Sequence, residues 1–167
     1  MVPGEGKQPS LAMIVGEAPG KDEVREGRPF VGRSGGLLTS ALQAVGISRD
    51  ECYITNAVKE IPLTEDGKIR KPTEGEIVEW RPILQGEIES TAPAAILVLG
   101  RSAQWALMPY IPVGEIPFGS IIGHYHLAWH PAYVLRSGWF GQSANNSRAN
   151  EWIEQLRPWA EAVRRAG

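Results

Sequence analysis

A chain of 167 residues, 43% hydrophobic and 22% charged, holds enough apolar material for one buried core and too much for disorder. With 17 Lys+Arg against 19 Asp+Glu the formal net charge is -2, so contact with a polyanion must rest on a local patch. The single cysteine, Cys52, excludes an internal disulfide and a four-thiolate metal site built by this chain. The start, MVPGEGKQPS, lacks the basic-then-apolar pattern of a signal peptide. No stretch reaches the roughly 20 apolar residues of a membrane span. A cytoplasmic protein is expected, with no membrane partner.

Residues 11–16 (LAMIVG) form an apolar run that is continuous rather than alternating, as in a strand covered on both faces. GEAPG and a loop ending in PFVGRSG follow. Residues 36–45 (GLLTSALQAV) place Leu37, Leu38, Ala41, Leu42 and Val45 on one helical face, with Gly46 as a stop. A second strand is predicted over 51–58 (ECYITNAV), then a polar loop over 62–72 (PLTEDGKIRKP), expected to be mobile. Thr73 with Glu76 reads as a capping box opening a helix to about Thr91, its apolar stripe being Ile77, Trp80, Leu84 and Ile88. A third strand over 94–100 (AAILVLG) leads to a short helix over 102–107 and a proline-stiffened loop over 109–118. A fourth strand is predicted over 120–130 (SIIGHYHLAWH), and a last helix from about residue 150 with Trp152, Leu156, Trp159 and Val163 buried. This alternation predicts an α/β fold: residues 1–167 as a single three-layer domain, a four-stranded, mainly parallel sheet flanked by helices.

Open parallel sheets bind ligands beyond the carboxyl ends of their strands. Glu17 follows the first strand, Phe30 lies in the loop after it, Asn56 closes the second, Arg101 and Ser102 follow the third, and His130 follows the fourth. Each has an ordinary reading: a solvated acid, a core phenyl ring, a turn amide, a structural imidazole. Convergence on one rim is what argues for a site. GEAPGK is not a phosphate loop, because Val15 stands where that motif needs glycine and Asp22 where it needs Ser or Thr. His124, His126 and His130 would share a strand face, but no thiolate or paired carboxylate accompanies them, and no metal is expected.

The segment GEAPGKDEVREGRPFVGRSGGLL (residues 16–38), TNAVK (55–59) and HPAYVLR (130–136) resemble, in order and spacing, the three motifs of the uracil-DNA glycosylase superfamily, family 4 above all. RSGWFG with the later SRANEW also resembles the end of family 1 enzymes. The resemblance implies a monofunctional enzyme of base excision repair that hydrolyses the N-glycosidic bond of uracil in single- or double-stranded DNA. It implies a monomer. Family 4 members hold an iron-sulfur cluster on four cysteines, two of them in a CxxC ahead of the first strand that this sequence does not contain. Glu60 and Trp80 stand where the other two would be, so a cluster-free variant is expected, its 60–72 loop held by packing, with Trp80 in the vacated space. Val24 stands where the family has Asp, while Glu23 is retained.

Such enzymes extrude the base and read its hydrogen-bonding edge. By resemblance, Phe30 stacks on the flipped base and Asn56 reads its edge, with Ala18 and Gly20 beside them. His130 hydrogen-bonds to the departing anionic base, and Glu17 stabilises the sugar cation or holds the attacking water, with Asp22 and Glu23 as reserves. Ala18 stands where family 1 has its aspartate, and Gly20 where family 1 has the tyrosine that blocks the thymine methyl. Leu135, with Val134, is expected to wedge into the gap in the DNA. Arg33, Ser34, Arg101, Ser102 and Arg136 are expected on phosphates. Two rival readings share the fold: action on a modified pyrimidine, with Gly20 opening the pocket, or a non-catalytic homologue that binds nucleic acid or protein.

Overall fold

A computed structural model describes residues 1–136 and 147–167; the RSGWFG stretch, apart from Arg136, lies outside the described residues. The strands β1 (Ala12–Gly16), β2 (Cys52–Asn56) and β3 (Ala95–Leu99) are buried at every position. Side chains alternate across a strand, so each feeds two cores. Ala12, Ile14, Ile54 and Leu97 pack on one face beneath α2 (Arg33–Ala44) and α6 (Ser147–Ala166), while Met13, Val15, Ile96 and Val98 pack on the other beneath α3 (Glu74–Thr91) and α4 (Arg101–Leu107). Trp152 and Trp159 are buried with their indole N–H groups satisfied, donating to Trp129 O at 2.8 Å and Ala95 O at 3.2 Å.

Among the described residues the sheet has five strands, not four, in the order β2-β1-β3-β5-β4. The apolar run over 120–130 folds back on itself. Gly123, at φ +60°, turns β4 (Ile121–Ile122) antiparallel to β5 (Tyr125–Ala128), whereas β5 runs parallel to β3. The three histidines do not share a site: His124 and His126 line a cavity with Glu161 and Arg165, whereas His130 lies beyond the end of β5 and lines other cavities. From β1 the chain moves outward to β2 and then crosses to β3 on the other side, so the ends of β1 and β3 form the switch point where ligands collect.

The stretch after β1 expected to be loop contains a short helix, α1 (Lys21–Glu26), and another not predicted, α5 (Pro131–Arg136), follows β5. The capping box of α3 forms as predicted, Thr73 Oγ1 accepting from Glu76 N. The 62–72 loop is pinned by hydrogen bonds. Leu63 and Ile69 bridge, Arg70 donates to Leu63 O and Lys71 O, and its guanidinium pairs with Glu76 at 2.6 Å. That pair holds the Glu76 carboxyl down at about 2. Trp80 is half-buried against the α3–α4 core.

Candidate active site

Backbone pairing between β1 and β2 continues past the strands, Ala57 N donating to Gly16 O and Val58 N to Glu17 O, which sets Glu17 and Asn56 side by side. A cavity of about 150 Å³ opens beside them, lined by Ala18, Gly20, Phe30, Ser34, Asn56 and His130, with Glu23 completing the wall. Phe30 and Asn56 meet over Gly16. A Cβ there would lie 2.4 Å from Phe30 Cζ and 2.5 Å from Asn56 Oδ1, so only glycine admits both walls. Asn56 is 3% exposed and its Oδ1 has no hydrogen-bond partner among the described residues. An unsatisfied buried acceptor costs on the order of 1–3 kcal/mol, a cost that a ligand donor in the cavity removes.

Asn56 is held from behind. Lys59 Nζ donates to Asn56 O, and Lys59 forms a buried ion pair with Glu87 at 2.6 Å. Glu87 also accepts from Tyr53 Oη at 2.9 Å and Thr55 Oγ1 at 2.8 Å. Burial pulls the Lys59 ammonium down from its ordinary value, and Glu87 opposes that pull.

Phe30 carries a φ of +51°, costly for a residue with a Cβ. Two side chains far apart in sequence hold it there. Arg49, in the 3-10 turn before β2, donates to Phe30 O and Pro29 O, each at 2.7 Å. On the other side the Glu23 carboxylate accepts from Gly20 N at 3.0 Å, Val31 N at 2.9 Å and Gly32 N at 2.7 Å. Glu23 is therefore committed to the loop backbone, and Asp22 pairs with Arg25 at 2.7 Å. Arg49 was not among the residues that the motifs pointed to. The signal is a contact across 19 residues, invisible to any local pattern.

His130 lines this cavity and also a larger groove of about 810 Å³. Its ring lies 5.8 Å from that of Phe30. Ala132 N donates to Nδ1 at 3.1 Å, so the neutral imidazole carries its proton on Nε2. Burial, with Arg136 nearby, lowers the ring to about 4, and it is uncharged at neutral pH. Glu17 lines the groove rather than the small cavity, its Oε2 accepting from Ser102 Oγ at 2.7 Å across the β1–β3 switch point.

The expected DNA-contacting residues divide. Arg33 is exposed at the start of α2, and Arg136 and Lys71 are exposed along the groove. Ser34 lies in the base-sized cavity, not on an outer surface. Ser102 is engaged by Glu17 rather than free for a phosphate. The Arg101 guanidinium is turned inward, donating to Gln104 Oε1 and Ile116 O and lying 4.0 Å over Phe118. Val134 cannot be a wedge: it is 0% exposed, because α5 turns it into the core. Leu135 is half-buried against the same core. Val24 is exposed on α1 and lines neither cavity.

A three-layer α/β domain with a ring-sized cavity at its switch point, one wall aromatic and another an unpartnered amide, is what a base-extruding enzyme needs. The profile of the Uracil DNA glycosylase superfamily matches residues 3–157, and the chain belongs to that superfamily. Among its relatives, it is 39% identical over 147 residues to the Type-4 uracil-DNA glycosylase of Saccharolobus solfataricus, covering 80% of this chain and 66% of that protein. It is 37% identical over 147 residues to that of Pyrobaculum aerophilum, covering 81% and 73%. Against that of Sulfurisphaera tokodaii it is 46% identical over 101 residues, covering 60% and 44%. The chain thus spans about two thirds of the length of the first of these relatives.

Proposed function

We propose that this chain removes uracil from DNA by hydrolysing its N-glycosidic bond, acting as a monomer. The observation that carries the reading is the unpartnered Oδ1 of Asn56 beside the Phe30 ring in the cavity of about 150 Å³. That volume is well below the roughly 300 Å³ at which drug-sized pockets begin, and it suits one pyrimidine ring without its sugar. Uracil offers a ring N–H to Asn56 Oδ1, whereas cytosine presents an acceptor at that position and leaves the buried oxygen unpaired. The ring stacks on Phe30. As the bond breaks, charge develops on the base, and the Nε2–H of neutral His130 stabilises it as a pre-placed donor. Glu17, on the groove side of His130, faces the sugar, where its carboxylate stabilises the cation or orients the attacking water.

The residues present do not fit an iron-sulfur cluster. Cys52 is buried in β2 with its thiol pushed up to about 12, Glu60 is exposed, and Trp80 packs on the core. Among the described residues no group of three or more His, Cys, Asp or Glu is placed to hold a metal ion. The reaction above draws on side chains alone. Purified protein is expected to show no charge-transfer band in the visible and no loss of stability with chelator.

The test is release of uracil, followed as alkali-labile sites in uracil-containing oligonucleotides at low salt. Glu17→Gln and His130→Ala are each expected to slow release by about 100-fold or more. Absence of release by the unaltered chain at low salt rejects the reading. Gly20, which lines the cavity without a side chain, supports a second reading in which ring-substituted pyrimidines also enter. Competing release from oligonucleotides carrying uracil or a 5-substituted uracil distinguishes the two.

A further inference from the structure

Beyond His130 the groove contains more than bond cleavage needs. Phe118, Trp129 and Tyr133 form a run of rings, with centroids 6.5 Å apart for the first pair and 5.2 Å for the second, both edge-to-face. Cations close its two ends: the Arg101 guanidinium lies 4.0 Å over Phe118 and that of Arg148 lies 4.6 Å over Tyr133. Arg70, Lys71 and Arg136 also line or border the groove. Arg101 and Arg148 brace the rings from one side, while Tyr133 and Trp129 offer aromatic surface to a base and Lys71 and Arg136, exposed along the groove, offer charge to its phosphates, the combination that holds single-stranded nucleic acid.

The platform is rigid and reachable. Trp129 is anchored through its backbone, its N donating to Gln155 Oε1 at 2.9 Å and its O accepting from Trp152 Nε1 at 2.8 Å. Tyr133 N donates to His130 O at 3.0 Å, which fixes this residue one helical turn from the imidazole, and Tyr133 is 37% exposed. Ile69, 52% exposed, adds an apolar surface to the lining. The groove, about 810 Å³, has space for a nucleotide next to the one whose base enters the small cavity. In a duplex the neighbouring base is already stacked and paired, and these rings gain nothing from it.

We propose that the nucleotide adjoining the extracted one, in single-stranded DNA, stacks its base against Tyr133 and Trp129, and that the chain therefore favours single strands over duplex. The placement of the neighbour rests on the glycosylase reading; the stacking itself does not. The test uses the full chain and two measurements. Fluorescence anisotropy reads binding to a uracil-free oligothymidylate, to the same oligomer carrying abasic spacers, and to a duplex. Release of uracil is read from single strands with an intact neighbour or a spacer on either side. Tyr133→Ala is expected to weaken single-strand binding about 5- to 150-fold while duplex binding is unchanged. Tyr133→Phe restores it, and for the unaltered chain a spacer on one side of uracil mimics the loss. Equal binding to spacer and intact strands overturns the proposal, as does weakening of single strand and duplex alike in Tyr133→Ala. Tyr133-dependent strand binding without uracil release supports the platform and rejects the glycosylase reading. Uracil release that ignores both Tyr133 and the spacer does the reverse.

Discussion

The proton of His130 sits where the backbone puts it. Ala132 N occupies Nδ1, and burial with Arg136 keeps the ring neutral down to about pH 4. An unfolded histidine titrates near 6.5, so between 6.5 and about 4 the unfolded chain takes up a proton that the folded chain refuses. Folded-state stability contributed by the neutral ring is present above that window and is lost as pH falls through it. Thermal melting is therefore expected to drop between pH 7 and 4.5, and to drop less in His130→Gln. An equal acid loss in both would place the titration elsewhere, for example at His126, which burial also pulls down. At this scale the sequence identified the cavity-lining residues Phe30, Asn56 and His130 from their positions at strand ends and the motifs around them. It did not show that Val134 is buried, that Ser102 donates to Glu17 or that Arg101 turns inward, because motif position says where a residue stands in the chain and not which way a helix turns its side chain.

Elements decide how firmly the site is held. The loop bearing Phe30 belongs to β1 by sequence, yet it is fastened by Arg49 from the turn before β2 and by Glu23 from α1. Gly35 makes that closure possible, since a Cβ there would fall 1.9 Å from Phe30 O. Arg49→Ala removes the bonds to Pro29 O and Phe30 O, along with one to Thr39 Oγ1 and an ion pair with Glu5, and frees a strained φ, while touching no substrate atom. We expect kcat/KM for uracil release to fall about 5- to 100-fold, bounded by the stacking worth of Phe30 itself. Added to Phe30→Ala, the same change should cost almost nothing further, because both act through one ring. Full additivity in that double-mutant cycle would show that Arg49 works by another route. The long helices were legible from capping and apolar spacing, even though Pro82 lies inside α3 and Pro158 inside α6. α1 was not, for it buries no residue and has no period to read. α5 offered a signal that went unused: a proline at its first position, where a helix tolerates one.

At the scale of the molecule, a net charge of -2 leaves the groove's few cations to carry the attraction for DNA. Arg70 is already shared with Glu76, and Lys71, Arg136 and Arg33 remain exposed. With three or four phosphates met, log-log salt slopes near -0.7 per phosphate on single strands predict a loss of roughly 20- to 50-fold between about 50 and 200 mM salt. Anisotropy titrations check this, and a slope far steeper would mean a larger basic surface than these residues supply. The layered fold was legible because continuous apolar runs must be covered on both faces. The strand count was not, because one glycine at positive φ turns a single apolar run into a hairpin, and a two-residue edge strand has no pattern of its own.

Gly16 lies beneath both the phenyl ring and the carboxamide, and its missing methyl is the doorway between them. A methyl added by Gly16→Ala would have to push Phe30 or Asn56 aside, deforming the niche they wall, while the outer channel, which neither residue lines, is not touched by it. If the proposed function holds, such a chain should still bind a strand of DNA and leave its uracil in place. Such a protein would compete with its own parent for substrate and slow it in a mixture, without cutting anything.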